Sequence, residues 1–168
     1  MGGSAGLALT TPATGVSVVS TIGFVSVPAP ASKVVPLPFE IAVIGIPLSA
    51  QAKRRSKAAW ISRVRSAATA AIPAGCTPTL EEVQIEVVYF HEDTPLDVDN
   101  MLKPIQDALC GVIYGDDSQL SDTHGSRRNI DESFHVRGLS SAMAAGFVSG
   151  SPFVFIRVSP APDPAELP

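Results

Sequence analysis

The sequence predicts an α/β (α+β) chain: one small mixed β-sheet with two main helices on one or both of its faces. Three observations carry that reading. Residues 39–46 and 80–90 alternate apolar and polar side chains at the period of a strand. Residues 153–158, near the far end of the chain, read as a last strand with Phe153, Phe155 and Arg157 opposite Val154, Ile156 and Val158. Between the first strand and the last lie two stretches whose apolar residues recur at helical spacing. At 168 residues the chain has the length of a single domain and can bury a core without disulfide or metal staples.

Taken in order, residues 1–35 read as an N-terminal extension rich in Ser, Thr, Gly, Ala, Val and Pro, with an edge strand or hairpin at 16–27 and otherwise a mobile arm. Residues 36–160 form the folded domain and 161–168 a tail. Phe39, Ile41 and Val43 face one way and Glu40, Ala42 and Ile44 the other, until Gly45 and Pro47 stop the strand. A polar, basic loop leads to Ser56, the expected cap of a helix ending near Ala71, with Trp60, Ile61, Val64, Ala68 and Ala71 inward. Ile72-Pro73 closes it. Val83, Ile85, Val87 and Tyr89 make the clearest strand, and 91–96 a loop. A second helix is expected from Asn100 to Gly111, with Asp99 or Asn100 as N-cap, Pro104 within the first turn or so, and an apolar stripe of Met101, Leu102, Ile105, Ala108, Leu109 and Val112. Residues 114–117 turn, a strand starts near Gln119, and residues 124–151 read as irregular. The last strand is 153–158.

The net charge is −4, which taken whole argues against a nucleic-acid binder. The distribution says otherwise. Residues 41–80 hold six bases and no acid, whereas residues 81–122 hold eleven acids and one base, Lys103. Two cysteines, Cys76 and Cys110, are too few for a disulfide framework and lack zinc spacing; they read as reduced, buried thiols of a cytoplasmic protein. Met1-Gly2-Gly3 lacks the basic start of a signal peptide. The uncharged stretches 1–32 and 138–156 are broken by Gly, Ser, Thr and Pro, so no membrane segment is expected.

The chemistry sits in Asp97-Val98-Asp99-Asn100-Met101-Leu102-Lys103 and Gly115-Asp116-Asp117-Ser118-Gln119. In an extended segment Asp97 and Asp99 point the same way, and Asp117, opening the next strand, can join them if the strand ends are neighbours. Three such carboxylates repel one another unless a hard cation, Mg²⁺ or Mn²⁺, sits among them. Lys103 lies one helical turn after Asp99, where it can support a phosphate or the charge that develops as a bond breaks. Asp107 continues that stripe; a surface ion pair with Lys103 is its simplest role. Asp before a helix is often only a cap, and Asp-Asp in a Gly turn is often only turn chemistry; the joint pattern is what points to function.

That pattern, Asp97 to Leu109, then Gly111-Val112-Ile113-Tyr114 and Asp116-Asp117-Ser118-Gln119, resembles the core of the RusA-type Holliday junction resolvases. The Ile46-Pro47-Leu48 strand end, the basic loop and the Trp60 helix are similar to that family's N-terminal half. The resemblance implies a small mixed α/β nuclease domain, a homodimer, and Mg²⁺-dependent nicking of branched DNA such as four-way junctions. Asp97, Asp99 and Asp117 would then be the metal-binding carboxylates and Lys103 the essential lysine, with Asn100, Asp107, Asp116 and Gln119 as secondary candidates. The chain departs from the family in its acidic net charge, its N-terminal extension, and a long stretch at 129–150.

Lys53, Arg54, Arg55 and Lys57, then Arg63 and Arg65, form a basic cluster suited to DNA phosphates, with Arg127 and Arg128 as weaker candidates. The bland alternative is a solvated helix face balancing the acidic half. His91, His124 and His135 share no spacing, and no nucleophile triad or phosphate loop is present. Two other functions compete: a non-catalytic DNA-binding or scaffold protein of the same fold, and a metal-dependent transferase using its D-x-D for a nucleotide diphosphate.

Overall fold

The structure, a computed structural model, describes residues 33–48, 52–92 and 97–165. Four strands make its main sheet: β2 (Phe39–Ile44), β4 (Val83–His91), β5 (Leu120–Asn129) and β6 (Phe153–Pro160). They lie in the order β2-β6-β4-β5, with β2/β6 and β6/β4 antiparallel and β4/β5 parallel. The expected mixed sheet is therefore found. A parallel pair needs a crossover, and α2 (Val98–Leu109) supplies it between β4 and β5. Two short strands, β1 (Lys33–Val34) and β3 (Cys76–Thr77), pair in parallel beside the main sheet. The expected strand at 16–27 lies outside the described residues.

Alternation along the strands fixes the two faces. Phe39, Ile41, Val43, Val83, Ile85, Val87, Tyr89, Val154, Ile156 and Val158 point to one face and are buried there. Against them pack α1 (Arg54–Ala71), through Trp60, Val64 and Ala68, and α2, through Met101, Ile105, Ala108 and Leu109. Burying each such large side chain contributes on the order of 1.5–3 kcal/mol, which makes this face the principal source of stability.

The opposite face corrects the sequence reading. Residues 124–151 are not irregular throughout. β5 continues to Asn129, and a third helix, α3, spans Ser141–Val148. Both were illegible for physical reasons. β5 reads LSDTHGSRRN and is almost without apolar alternation. α3 reads SAMAAGFV, apolar all round, so it shows no polar face. Its start is nonetheless capped, the Ser140 hydroxyl accepting from the Met143 N–H at 3.2 Å. α3 covers a second, aromatic core of Val88, Phe90, Phe153 and Phe155, with Phe134, Met143 and Phe147. Phe90 and Phe153 stack with centroids 4.6 Å apart, and Gly146 lets the helix settle onto the Phe153 ring, where a Cβ would collide.

The helix starts also move. α1 begins at Arg54 with Lys53 as N-cap and no side-chain cap, so Ser56 lies within its first turn rather than before it. Arg54, Arg55 and Lys57 are good helix formers and extend the helix backwards. α2 begins at Val98 with Asp97 as N-cap, not Asp99 or Asn100, and Pro104 is its seventh residue, beyond the first turn. α2 ends at Leu109; Gly111, at φ +75°, takes the left-handed position that stops it.

Candidate active site

The α2 boundary changes the geometry of the acidic motif. Asp97 and Asp99 are not alternate residues of an extended segment but the N-cap and the second residue of a helix. The Asp97 carboxylate makes no capping hydrogen bond, so the simplest explanation of an Asp at this position does not apply. It instead lies 3.9 Å from Arg127 Nη1 on β5. Asp99 is exposed on the first turn, and the helix dipole favours a carboxylate there. Asn100 is half-buried beside it, its backbone N–H donating to the Asp97 carbonyl at 3.2 Å.

α2 is held close to β5 by a glycine. A Cβ on Gly125 would run into Val98 Cγ1 and the Leu102 methyls. Gln106 adds a bond from Nε2 to Thr123 Oγ1 at 3.0 Å. Gly in a strand interior marks such a close approach; the cue is in the sequence, but only once residues 120–129 are known to be a strand.

Lys103 occupies the middle of α2, one turn past Asp99. Its Nζ donates to Asp117 Oδ2 at 2.8 Å and lies 3.0 Å from Asp107 Oδ1. These contacts, Asp117 first and Asp107 second, push the lysine pKa well above its ordinary value. Lys103 thus carries its positive charge near neutral pH. The stripe Asp99, Lys103, Asp107 alternates in sign along one exposed face, at about 6 Å per step of four residues.

Asp117 is presented by a braced turn. Asp116 Oδ1 accepts from the Ser118 N–H at 2.9 Å, and the Ser118 contacts hold the Asp116 carboxyl below its usual range. Gln119 does more. Its Oε1 accepts from the Gly115 N–H at 2.7 Å and the Asp116 N–H at 2.9 Å, while its Nε2 donates to the Thr79 carbonyl at 3.0 Å and the Glu81 carbonyl at 2.9 Å. The secondary candidates Asp116 and Gln119 therefore serve the turn, and Asp117 alone of the Asp-Asp pair is directed at Lys103. Behind it, the Cys110 thiol lies against Asp117; burial first, then that carboxylate, raises its pKa. Buried Tyr114 donates to the Gln106 carbonyl at 3.0 Å, and burial, with Asp117 adding to it, raises its pKa.

Asp97 and Asp99 lie at the start of α2, whereas Asp117 lies on the turn before β5, bonded to Lys103. Asp107 and Asp117 contact Lys103, Asp97 lies near Arg127, and Asp99 adds a fourth carboxylate on the first turn of α2. All are oxygen donors of the type a hard divalent ion takes, and Asp97 is not spent on its cap. Yet among the described residues no group of three His, Cys, Asp or Glu stands ready to hold a metal ion. In the parallel β4/β5 connection Asp97 follows the end of β4 and opens α2, while Asp117 precedes the start of β5 and bonds Lys103 in mid-helix.

The basic cluster divides as well. Lys53, Arg54 and Arg55 are exposed and Lys57 half-buried at the start of α1. Arg63 and Arg65 are turned onto the protein. Arg63 Nη1 donates to the Ile44 carbonyl at 3.3 Å, over Gly45 at φ +118°. Arg65 Nη2 donates to the Asp107 and Cys110 carbonyls at 3.0 and 3.2 Å, closing the end of α2. Arg127 and Arg128, adjacent on β5, leave on opposite faces: Arg127 toward Asp97, Arg128 toward the α3 side.

The model of a family described as endodeoxyribonuclease RusA matches residues 49–137, more than half of the chain. That span holds α1, β4, α2, β5 and every residue of the acidic site. No curated protein matches the chain.

Proposed function

Because the chain belongs to the RusA endodeoxyribonuclease family, we propose that it nicks phosphodiesters of branched DNA, four-way junctions above all, in a reaction that depends on Mg²⁺, with Mn²⁺ as a substitute. The observation that carries this reading is the Lys103 ammonium held between Asp117 and Asp107, one turn from the exposed Asp97–Asp99 pair. A surface fold has no need of such a concentration of like charge, whereas phosphoryl chemistry does.

Asp97, Asp99 and Asp117 would hold the cation. When bound it supplies Lewis-acid activation of water and neutralises the phosphate. Lys103, fixed by Asp117, offers a positive N–H to a non-bridging or leaving oxygen, where it counts most as charge develops. Arg127, close to Asp97, the exposed Lys53, Arg54 and Arg55, and the half-buried Lys57 contact flanking phosphates. Two copies related by a two-fold axis would place paired nicks on a symmetric junction, so a homodimer acting in the cytoplasm is part of the proposal. No helix of the described residues is long and apolar enough to cross a membrane.

The test is cleavage of a labelled four-way junction by the parent and Asp97→Asn across Mg²⁺, Mn²⁺ and Ca²⁺. Nicking by the parent with Mg²⁺ or Mn²⁺ and its loss in the variant are expected. The competing reading, a DNA-binding scaffold, draws on the carboxylates of the described residues not being assembled as a metal cage. Junction binding without nicking, unchanged in Asp99→Asn, would favour it.

A further inference from the structure

The far face of the sheet carries a cavity of about 290 Å³ that the acidic site does not use. Glu86, Val88 and Phe90 of β4 and Ser126 and Arg128 of β5 form its floor. The loop Phe134-His135-Val136-Arg137 and α3, through Met143 and Phe147, form its walls. Its size is near the low end of ligand sites, roughly 300–1,000 Å³, enough for one planar ring system. The chemistry is two-fold: aromatic rings, Phe134 packing 5.6 Å from Phe90 and 6.0 Å from Phe147, and the basic Arg128, Arg137 and His135, all exposed. The lone acid, Glu86, stands in register with Arg157 and His124 on its two neighbouring strands.

The cavity is also joined to the acidic site. Among the described residues β5 is an edge strand, and its successive residues Arg127 and Arg128 mark the acidic-site face and the cavity face in turn. Arg128 Nη1 donates to the Arg127 carbonyl at 2.7 Å, which keeps its guanidinium against the strand backbone. A polyanion lying on the acidic-site face can thus pass around the β5 edge from one arginine to the next.

We propose that a DNA strand leaving the acidic site wraps the β5 edge and seats one nucleotide in this cavity, its phosphates on Arg128 and Arg137 and its base against Phe134. The proposal rests on the nuclease reading above and extends it to a second contact on the opposite face.

The experiment measures binding of a four-way junction in Ca²⁺ over a series of salt concentrations, after cleavage by the parent in Mg²⁺ has been checked. Arg128→Gln/Arg137→Gln is expected to weaken binding and to flatten the log Kd–log salt slope by about 1.8, since each phosphate contact accounts for about 0.9. Phe134→Leu keeps the apolar packing but not the stacking; it is expected to lower affinity about tenfold and to remove the quenching of a 2-aminopurine moved along the strand flanking the nick. Unchanged melting temperatures establish that the variants fold. A parent that cuts, with variants of parental slope and parental quenching, overturns this inference alone. A parent that neither cuts nor binds DNA overturns the nuclease reading and this inference together.

Discussion

Replacing Lys103 with Met removes the charge and keeps most of the aliphatic stem, so it separates what the ammonium does for the fold from what it does for the reaction. In the folded protein the ammonium touches only exposed partners. Its own side chain is 55% accessible, that of Asp117 51% and that of Asp107 40%. Exposed pairs contribute about 0–1 kcal/mol, and a helical i,i+4 pair about 0.3–0.5 kcal/mol. The variant should therefore lose at most about 1.5 kcal/mol, a fall of no more than about 6 °C in Tm for a chain of this length. The reaction should suffer far more. Deleting one preorganised donor to a developing negative charge costs about 10²–10³ in rate. The pH dependence sharpens the test. The lysine pKa is raised in the folded chain, so its contribution to stability is complete below the unfolded value, about 10.4, and is lost only as pH rises through the folded one, in strong alkali. Between pH 6 and about 9 the rate deficit of Lys103→Met should accordingly stay constant. Single-turnover cleavage of a labelled junction, beside a thermal melt, reads both quantities. Cleavage within about threefold of the parent, less than about 1 kcal/mol of barrier, would refute the assignment. So would a Tm fall that by itself accounts for the lost activity.

Gly125→Ala should overpack the α2–β5 contact, costing about 1–3 kcal/mol, and should lower cleavage beyond its effect on the melt, because the first turn of α2 carries Asp97 and Asp99; an unchanged Tm would argue that the helix does not approach the strand so closely. Gln119→Ala removes all four bonds that brace the turn before Asp117; a loss of about 2–4 kcal/mol is expected by denaturant unfolding, at about 1 kcal/mol per hydrogen bond, with cleavage falling further as Asp117 loosens. Arg65→Met should lower stability by about 1–2 kcal/mol through the uncapped end of α2 and leave the salt dependence of DNA binding unchanged; a flatter slope would return Arg65 to the phosphate contacts.

The fold and the site were legible to different depths. The principal core could be read because Phe39, Ile41 and Val43, and Val83, Ile85 and Val87, recur at the period of a strand, with Glu40, Gln84 and Glu86 marking the other side, and because α2 has one strongly apolar stripe. α3 could not, since a helix packed on aromatic rings and built from Ala, Met, Gly, Phe and Val has no polar side to set its period. The identities of the acidic residues were plain, but their arrangement was not. Placing Asp97 and Asp99 on an extended segment was an error of two residues in a helix start, and it moved both carboxylates onto a different geometry. Arg63 and Arg65 show the same limit from the other side: the sequence shows two cations, and only tertiary packing reveals that their guanidinium groups are bonded to carbonyls.

The outermost strand has a consequence for how this protein behaves at high concentration. Among the described residues β5 lies at one edge of the four-stranded sheet, the position from which another chain could continue it. Its serines, threonine, aspartate and paired arginines oppose that: they are poor partners for a dry zipper, and like charges at Arg127 and Arg128 repel a copy laid alongside. Exchanging them for valine or isoleucine would make the strand easier to recognise and the protein more prone to aggregate.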